Sequence, residues 1–194
     1  LDCNLRKKLQ LLVIGNDTFS VHRSWAPIDK WAFQRAFARA AQTDAAILTG
    51  ATSTFNKPFD MEDVRLNSWI STYLFAINPE LLERLEWRLG ANRDTLAHFV
   101  KGGVDEDAFF SSEMSINLRE HLTAWLFVRQ GKHRWRNAEP LSRENHDRFL
   151  EKARCIVCEK LLTARSLALG GTIRSVYGQF PLPRLGETKE SMPI

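Results

Sequence analysis

The sequence is short of the features that usually announce a chemistry. Cysteine is scarce: Cys3, Cys155 and Cys158 are an odd set, too small for a disulfide framework, which points to free thiols in a reducing compartment. A structural zinc site needs four ligands, and Cys155-x-x-Cys158 has only Cys3 beside it and no closely spaced histidine pair. The motif reads instead as two small hydrophobes on the apolar face of a helix. No apolar run approaches the ~18 residues that would span a bilayer. The stretch 9–15 is too short and too poorly flanked for a secretory signal, so the cytoplasm is the expected location. The histidines (His22, His98, His121, His133, His146) are scattered, and no metalloprotease helix, nucleophile elbow or phosphate-cradling loop occurs. The expectation is a protein that is not an enzyme and takes no cofactor or metal.

Charge of one sign is also in short supply. The 27 basic and 23 acidic side chains leave a net charge of only +4, a milder excess than dedicated nucleic-acid binders carry. Aromatics, by contrast, are plentiful. Six Trp and twelve Phe can each bury ~150–250 Å², so a chain of 194 residues can build a core without covalent staples.

Apolar spacing along the chain predicts helices for most of its length. Asp29 is placed to cap a helix after Pro27 carrying Phe33, Phe37 and Ala40. The stretch 50–58, rich in Thr, Ser, Gly and Asn, reads as a loop. Asp60 then caps a helix with the stripe Leu66, Trp69, Ile70, Tyr73, Leu74 and Ile77. Asn78-Pro79 ends it and starts another, lined by Leu82, Leu85 and Leu89 and closed by Gly90. Asn92 caps the next, with Leu96, Phe99 and Val100 inward. Leu118, Leu122, Trp125 and Leu126 mark a further helix. Ser142 opens the longest, with Phe149, Leu150, Ala153, Ile156, Val157, Leu161, Ala164 and Leu167 on one face up to Gly170-Gly171. The segment 5–20 reads either as a short strand pairing with 18–22 or as a helix end. The expected fold is mainly α, in effect all-α: a single-domain irregular helical bundle over 1–183, with room for a short β-hairpin near the N-terminus and a flexible tail at 184–194.

Two clusters stand out as binding surfaces. Arg129, Lys132, Arg134 and Arg136, with Trp135 and His133 among them, form the one concentrated basic patch, suited to phosphate or an acidic partner. Trp25 and Trp31 would serve as interface anchors if left exposed. The segment 81–102 reads as a helix-turn-helix that would offer Asn92, Arg93, Thr95 and His98 to a DNA groove, although Glu86 stands where that motif favours Ala.

Taken in order, Phe19, His22, Ser24, Trp25, Pro27 and Trp31, then Ala45-Ala46-Ile47-Leu48 and Phe55, then the segments 66–77 and 81–100, resemble the SctK family, the sorting-platform adaptor of bacterial type III secretion. The long C-terminal helix, Ile173-Arg174 and Phe180-Pro181 are similar to that family's closing pattern. The resemblance implies a non-catalytic cytosolic adaptor held peripherally at the inner membrane. Its partners would be the cytoplasmic domain of the inner-membrane ring protein and the SctQ pod protein, through which it reaches the ATPase complex. A helix-turn-helix transcription regulator is the alternative.

Overall fold

The computed structural model describes residues 9–16, 25–130 and 135–178. Helix takes up 42% of them and strand 25%, including a four-stranded mixed sheet, so the expected mainly α, all-α bundle is overturned. The elements are β1 (Leu12–Gly15), α1 (Pro27–Ala41), β2 (Ile47–Met61), β3 (Val64–Ile77), α2 (Pro79–Arg84), α3 (Arg93–Phe99), α4 (Glu106–Phe109), α5 (Ile116–Phe127), α6 (His146–Ala168) and β4 (Thr172–Ser175).

The sheet has the order β1-β3-β2-β4, with β1 antiparallel to β3 and β4 parallel to β2. Its centre is β2 and β3, the two stretches expected as a loop and a helix. Thr52, Ser53, Thr54 and Phe55 on one strand and Ser71, Thr72 and Tyr73 on the other are residues suited to a pleated surface. Their hydroxyls pair across strands: Ser53 with Ser71 at 2.6 Å, and Thr52 with Ser175 on β4 at 3.2 Å. The helical spacing read into 66–77 arose because Trp69, Ile70 and Ser71, and again Phe75, Ala76 and Ile77, are buried in consecutive runs. A strand covered on both faces loses its alternation and imitates a helix stripe. Asp60 therefore caps nothing; only Glu62 and Asp63 separate β2 from β3, with Glu62 in the left-handed region at φ 52°. The strand expected near the N-terminus is present as β1, and it pairs with β3 through Leu12–Ile77 and Gly15–Leu74. Its proposed partner 18–22 lies outside the described residues.

Two compact units divide the chain: Leu1–Asn56 with Asn67–Leu89 and Leu162–Ile194, and Lys57–Leu66 with Gly90–Leu161. In the first, one apolar cluster joins Leu48, Ile70, Phe75 and Ile77 of the sheet to Leu81, Leu82, Leu162 and Ile173. A second joins Phe33 and Ala36 of α1 to Ala51 and Val176. Leu48 and Ala51 differ in parity on β2, so the two clusters cover opposite faces of the sheet. Gly50 sits where a Cβ would lie 2.7 Å from Ile70 Cγ2, so a side chain there would force Ile70 to shift. Asn78, 2% exposed, ties the unit together. Its Oδ1 accepts from the amides of Ile47 and Leu81, and its Nδ2 donates to the carbonyls of Thr43 and Ala45. The Asn-Pro start of α2 is thus as expected, but that helix ends at Arg84, with Leu85 rather than Gly90 closing it.

The second unit is built on aromatic contacts. Phe109 meets Phe127 edge-on at 5.2 Å, Phe127 lies 5.2 Å from Phe149, and Trp135 meets Phe149 edge-on at 5.4 Å. The stripe on α5 (Leu118, Leu122, Leu126) is buried as its spacing foretold, as are Phe149, Ala153 and Val157 on α6. Asn92 caps α3 by accepting from the Thr95 amide at 2.8 Å. The longest helix begins at His146 instead of Ser142, because Asn145 Oδ1 takes the Ser142 amide in a preceding turn.

Candidate functional site

The first unit presents one large groove, about 1030 Å³, walled by α1 and by β4 with the turn that follows it. Its shape follows from how α1 is seated. Pro27 occupies the first helical position, with Ala26 rather than Asp29 at the cap; Asp29 lies three residues in, and its carboxylate accepts the Ala26 amide at 3.1 Å. Phe33, Ala36 and Ala40 face the sheet, which leaves the stripe Ile28, Trp31, Arg35 and Arg39 exposed along the groove. Trp31 is 52% exposed, and the Arg35 guanidinium lies over its ring, 4.9 Å from the centroid, as a cation–π pair.

The opposite wall carries Arg174 and Tyr177. Tyr177 is fixed from two sides: its hydroxyl donates to Asp29 Oδ1 at 2.8 Å, and its ring meets Phe33 edge-on at 6.1 Å. Trp25, half-buried, packs edge-on against the same Phe33 at 5.0 Å. The groove therefore brings together three arginines and two exposed aromatics, and no aspartate or glutamate among the described residues lines it. None of Arg35, Arg39 and Arg174 is engaged in an ion pair among the described residues. Its floor, with Ala32, Ala36 and Val176, is apolar.

The two Trp proposed as anchors thus differ. Trp31 is exposed on this groove, whereas Trp25 is half-buried against Phe33. In the second unit the basic patch is only partly visible, since Lys132, His133 and Arg134 lie outside the described residues. Trp135 stacks on Trp125 at 6.2 Å and is flanked by Lys152 and Arg148 at 5.8 and 5.9 Å. Arg129 pairs with Glu139 at 3.6 Å, and Arg148 pairs with the same carboxylate, so Glu139 offsets part of the local charge. Arg136 is exposed.

The residues proposed for DNA reading are arranged otherwise than in a helix-turn-helix. Residues 85–92 connect α2 to α3, well beyond that motif's tight turn, and Glu86 and Trp87 both take left-handed φ values of 52° and 61°. Asn92 is spent on its own helix cap, and His98 Nδ1 lies 2.9 Å from Glu113. Arg93 opens α3, and Thr95 donates its amide to that cap.

Cys155 and Cys158 fall mid-helix on α6 as expected, but Cys155 is exposed, not on the apolar face, and Cys158 is half-buried. Burial of the thiol, then the Glu151 charge, pushes Cys155 up, away from the reactive thiolate. No group of three or more His, Cys, Asp or Glu side chains among the described residues is gathered as metal ligands would be. No helix among them is long and apolar enough to cross a membrane. Lys160, 2% exposed on α6, is pushed down to about 8 by burial.

By fold, the chain is an α/β protein with a four-stranded mixed sheet, and it carries a groove lined by arginine and aromatic side chains. Comparison with protein-family models, with curated proteins and with solved structures finds no match.

The sequence reading missed Arg35, Arg39, Arg174 and Tyr177. A signal for half of them was there: Trp31, Arg35 and Arg39 recur at helical spacing on the side of α1 opposite its small buried residues. Arg174 and Tyr177 join them only through the parallel pairing of β4 with β2, which no local pattern encodes.

Proposed function

We propose that this protein is a non-catalytic adaptor that works by docking protein partners, with the α1–β4 groove as a principal docking surface. The observation that carries this reading is the groove itself: exposed Trp31 and Tyr177 beside three arginines, over an apolar floor. Aromatic and arginine side chains grouped in this way are what protein interfaces concentrate at their energetic centres. The half-exposed Trp125–Trp135 stack of the second unit, with Arg129 and Arg136 nearby, is the second docking face. Two separate faces are what a linking protein requires.

The resemblance to the SctK family gives this adaptor a setting: a cytoplasmic sorting platform, peripheral to the inner membrane, between the ring protein's cytoplasmic domain and SctQ. The part of that resemblance drawn from a helix at 66–77 is withdrawn, since those residues are β3. What remains is the Trp25–Trp31 step, Ala45–Leu48 with Phe55, the segment 81–100 with its helices, the long α6 and Ile173-Arg174. DNA reading is not proposed, because α3 is short, its capping Asn92 is engaged, and its connection to α2 is long.

The test is co-purification from cells of origin or by co-expression. The chain is expected to elute with the ring protein's cytoplasmic domain or with SctQ, nuclease-treated or not, and to lose one of them when Trp31 is replaced by alanine. If neither partner elutes with the native chain, the type III secretion setting is wrong.

A further inference from the structure

We infer that the α1–β4 groove receives an extended acidic peptide whose carboxylates stand at alternate positions, a Glu-x-Glu or Asp-x-Asp segment of a partner protein. This rests on the adaptor reading and specifies the chemistry of what the adaptor binds. Charge is the first argument. Arg35, Arg39 and Arg174 are exposed and, among the described residues, are engaged in no ion pair and face a lining without a carboxylate. Guanidinium forks so placed select carboxylates, and they do so with two parallel hydrogen bonds each.

Spacing is the second argument. Arg35 and Arg39 are four residues apart on α1, so they stand about 6 Å apart along the helix axis at 1.5 Å per residue. In an extended chain, side chains on one face recur every second residue, about 6.6 Å. One carboxylate of such a segment meets each arginine in turn, and the intervening side chain faces the other way. The stripe from Ile28 to Arg39 is about 16 Å long, which matches roughly five extended residues. Trp31 and Tyr177 then flank an apolar residue at the end of the segment, over the floor of Ala32 and Val176.

A single-stranded nucleic acid is the rival occupant with the same sign of charge. It requires open aromatic faces for its bases. Here Arg35 already covers a face of Trp31, and the Tyr177 ring is pinned by its bonds to Asp29 and Phe33. A carboxylate on Arg35 leaves the Arg35–Trp31 pair intact, whereas a base stacking on that face displaces it. The peptide is favoured.

The experiment is fluorescence anisotropy of the full chain with a labelled set of Ser-Glu-x-Glu-Phe-Ser peptides, x being each apolar residue. Three probes serve as controls: the Lys-x-Lys counterparts, peptides with the two glutamates adjacent, and a labelled ten-nucleotide oligothymidine. The alternating acidic peptides are expected to bind, to weaken with added salt, and to bind better than the adjacent-glutamate set. The lysine peptides are expected not to bind. Arg35→Gln with Arg39→Gln, and separately Arg174→Gln on the opposite wall, are expected to lower affinity roughly tenfold or more with unchanged melting temperature. Binding of no acidic peptide, equal binding by the variants, or tighter binding of the oligonucleotide overturns the inference. So does a concentration-dependent dimer, seen by light scattering, that the same variants abolish, since a second copy then fills the groove. The adaptor reading fails separately: it falls if no partner co-purifies, and it survives if a partner co-purifies with the arginine variants as well as with the native chain.

Discussion

Removing the Asn78 side chain should cost more than any other single polar change in the first unit. Asn78 is 2% exposed and makes four hydrogen bonds, two as acceptor and two as donor, to Ile47, Leu81, Thr43 and Ala45. Asn78→Ala leaves the Ile47 and Leu81 amides and two carbonyls without that partner at the junction of β2, β3 and α2. A buried donor left unsatisfied costs about 1–3 kcal/mol, and loss of a helix cap about 1 kcal/mol. Allowing for relaxation and some water entry, the expected loss is roughly 3–5 kcal/mol, a large share of the ~5–15 kcal/mol that holds a domain together. Urea denaturation followed by circular dichroism measures it. Hydrogen exchange localises it, with the Ile47 and Leu81 amides expected to lose protection first. Asn78→Asp is the sharper variant: it keeps the acceptors, removes both donors, and sets a carboxylate against two carbonyls. It should be at least as destabilising at neutral pH and should ease on acidification, when the protonated carboxyl regains one donor. A loss below about 1 kcal/mol in both variants would refute the reasoning, because the four bonds would then be replaceable by solvent.

Three further outcomes are expected. Lys160→Met should be most favourable relative to the native chain at pH 7 and less so at pH 9.5, since burial holds the amine down from 10.5 to about 8 in the fold. The native chain then binds fewer protons than the unfolded one between those values, so its stability climbs with pH across that window and the advantage of Met shrinks; an equal gain by urea denaturation at pH 7 and pH 9.5 would contradict this. His146 bonds Asp147 Oδ1 at 3.1 Å and the Gly102 carbonyl at 2.9 Å, and the Asp147 bond foremost raises it above its ordinary 6.5. Its stabilising contribution is full below pH 6.5 and fades as pH rises through the raised folded value; NMR titration of the ring, and a melting-temperature difference to His146→Gln that closes at alkaline pH, check it. Gly50→Ala should destabilise by about 1–3 kcal/mol, because its Cβ would press to 2.7 Å from Ile70 Cγ2 and 3.1 Å from Phe75 Cβ; a melting temperature equal to that of the native chain would show that the sheet yields there.

What could be read in the sequence was local. The Asn78-Pro79 start of α2, the Asn92 cap of α3 and the apolar stripes of α5 and α6 each depend on residues three or four positions apart, and each is found. The centre of the sheet was not legible for a physical reason. Trp69–Ile70–Ser71 and Phe75–Ala76–Ile77 are buried by partners on both faces, so the period of two that marks a strand is erased. In 50–58, Gly50 and the hydroxyl residues looked like loop chemistry. In the fold, Gly50 makes room for Ile70, and Ser53 pairs with Ser71. The groove is half legible: Trp31, Arg35 and Arg39 share a helical spacing, but Arg174 and Tyr177 reach it only through a parallel strand pairing across more than a hundred residues of chain.

The central claim is that the chain is an adaptor docking protein through the α1–β4 groove, and a photo-crosslink from the groove tests it most directly. Replacing Trp31 with p-benzoylphenylalanine in the cell of origin and irradiating should give an adduct with one protein, the ring protein's cytoplasmic domain or SctQ. The attachment point should lie within an acidic segment, and the adduct should disappear when Arg35→Gln and Arg39→Gln are added. An adduct with nucleic acid alone, or no protein adduct from the groove, would contradict it; a protein adduct that persists undiminished in the arginine variants would overturn the acidic-segment inference and leave the docking claim standing.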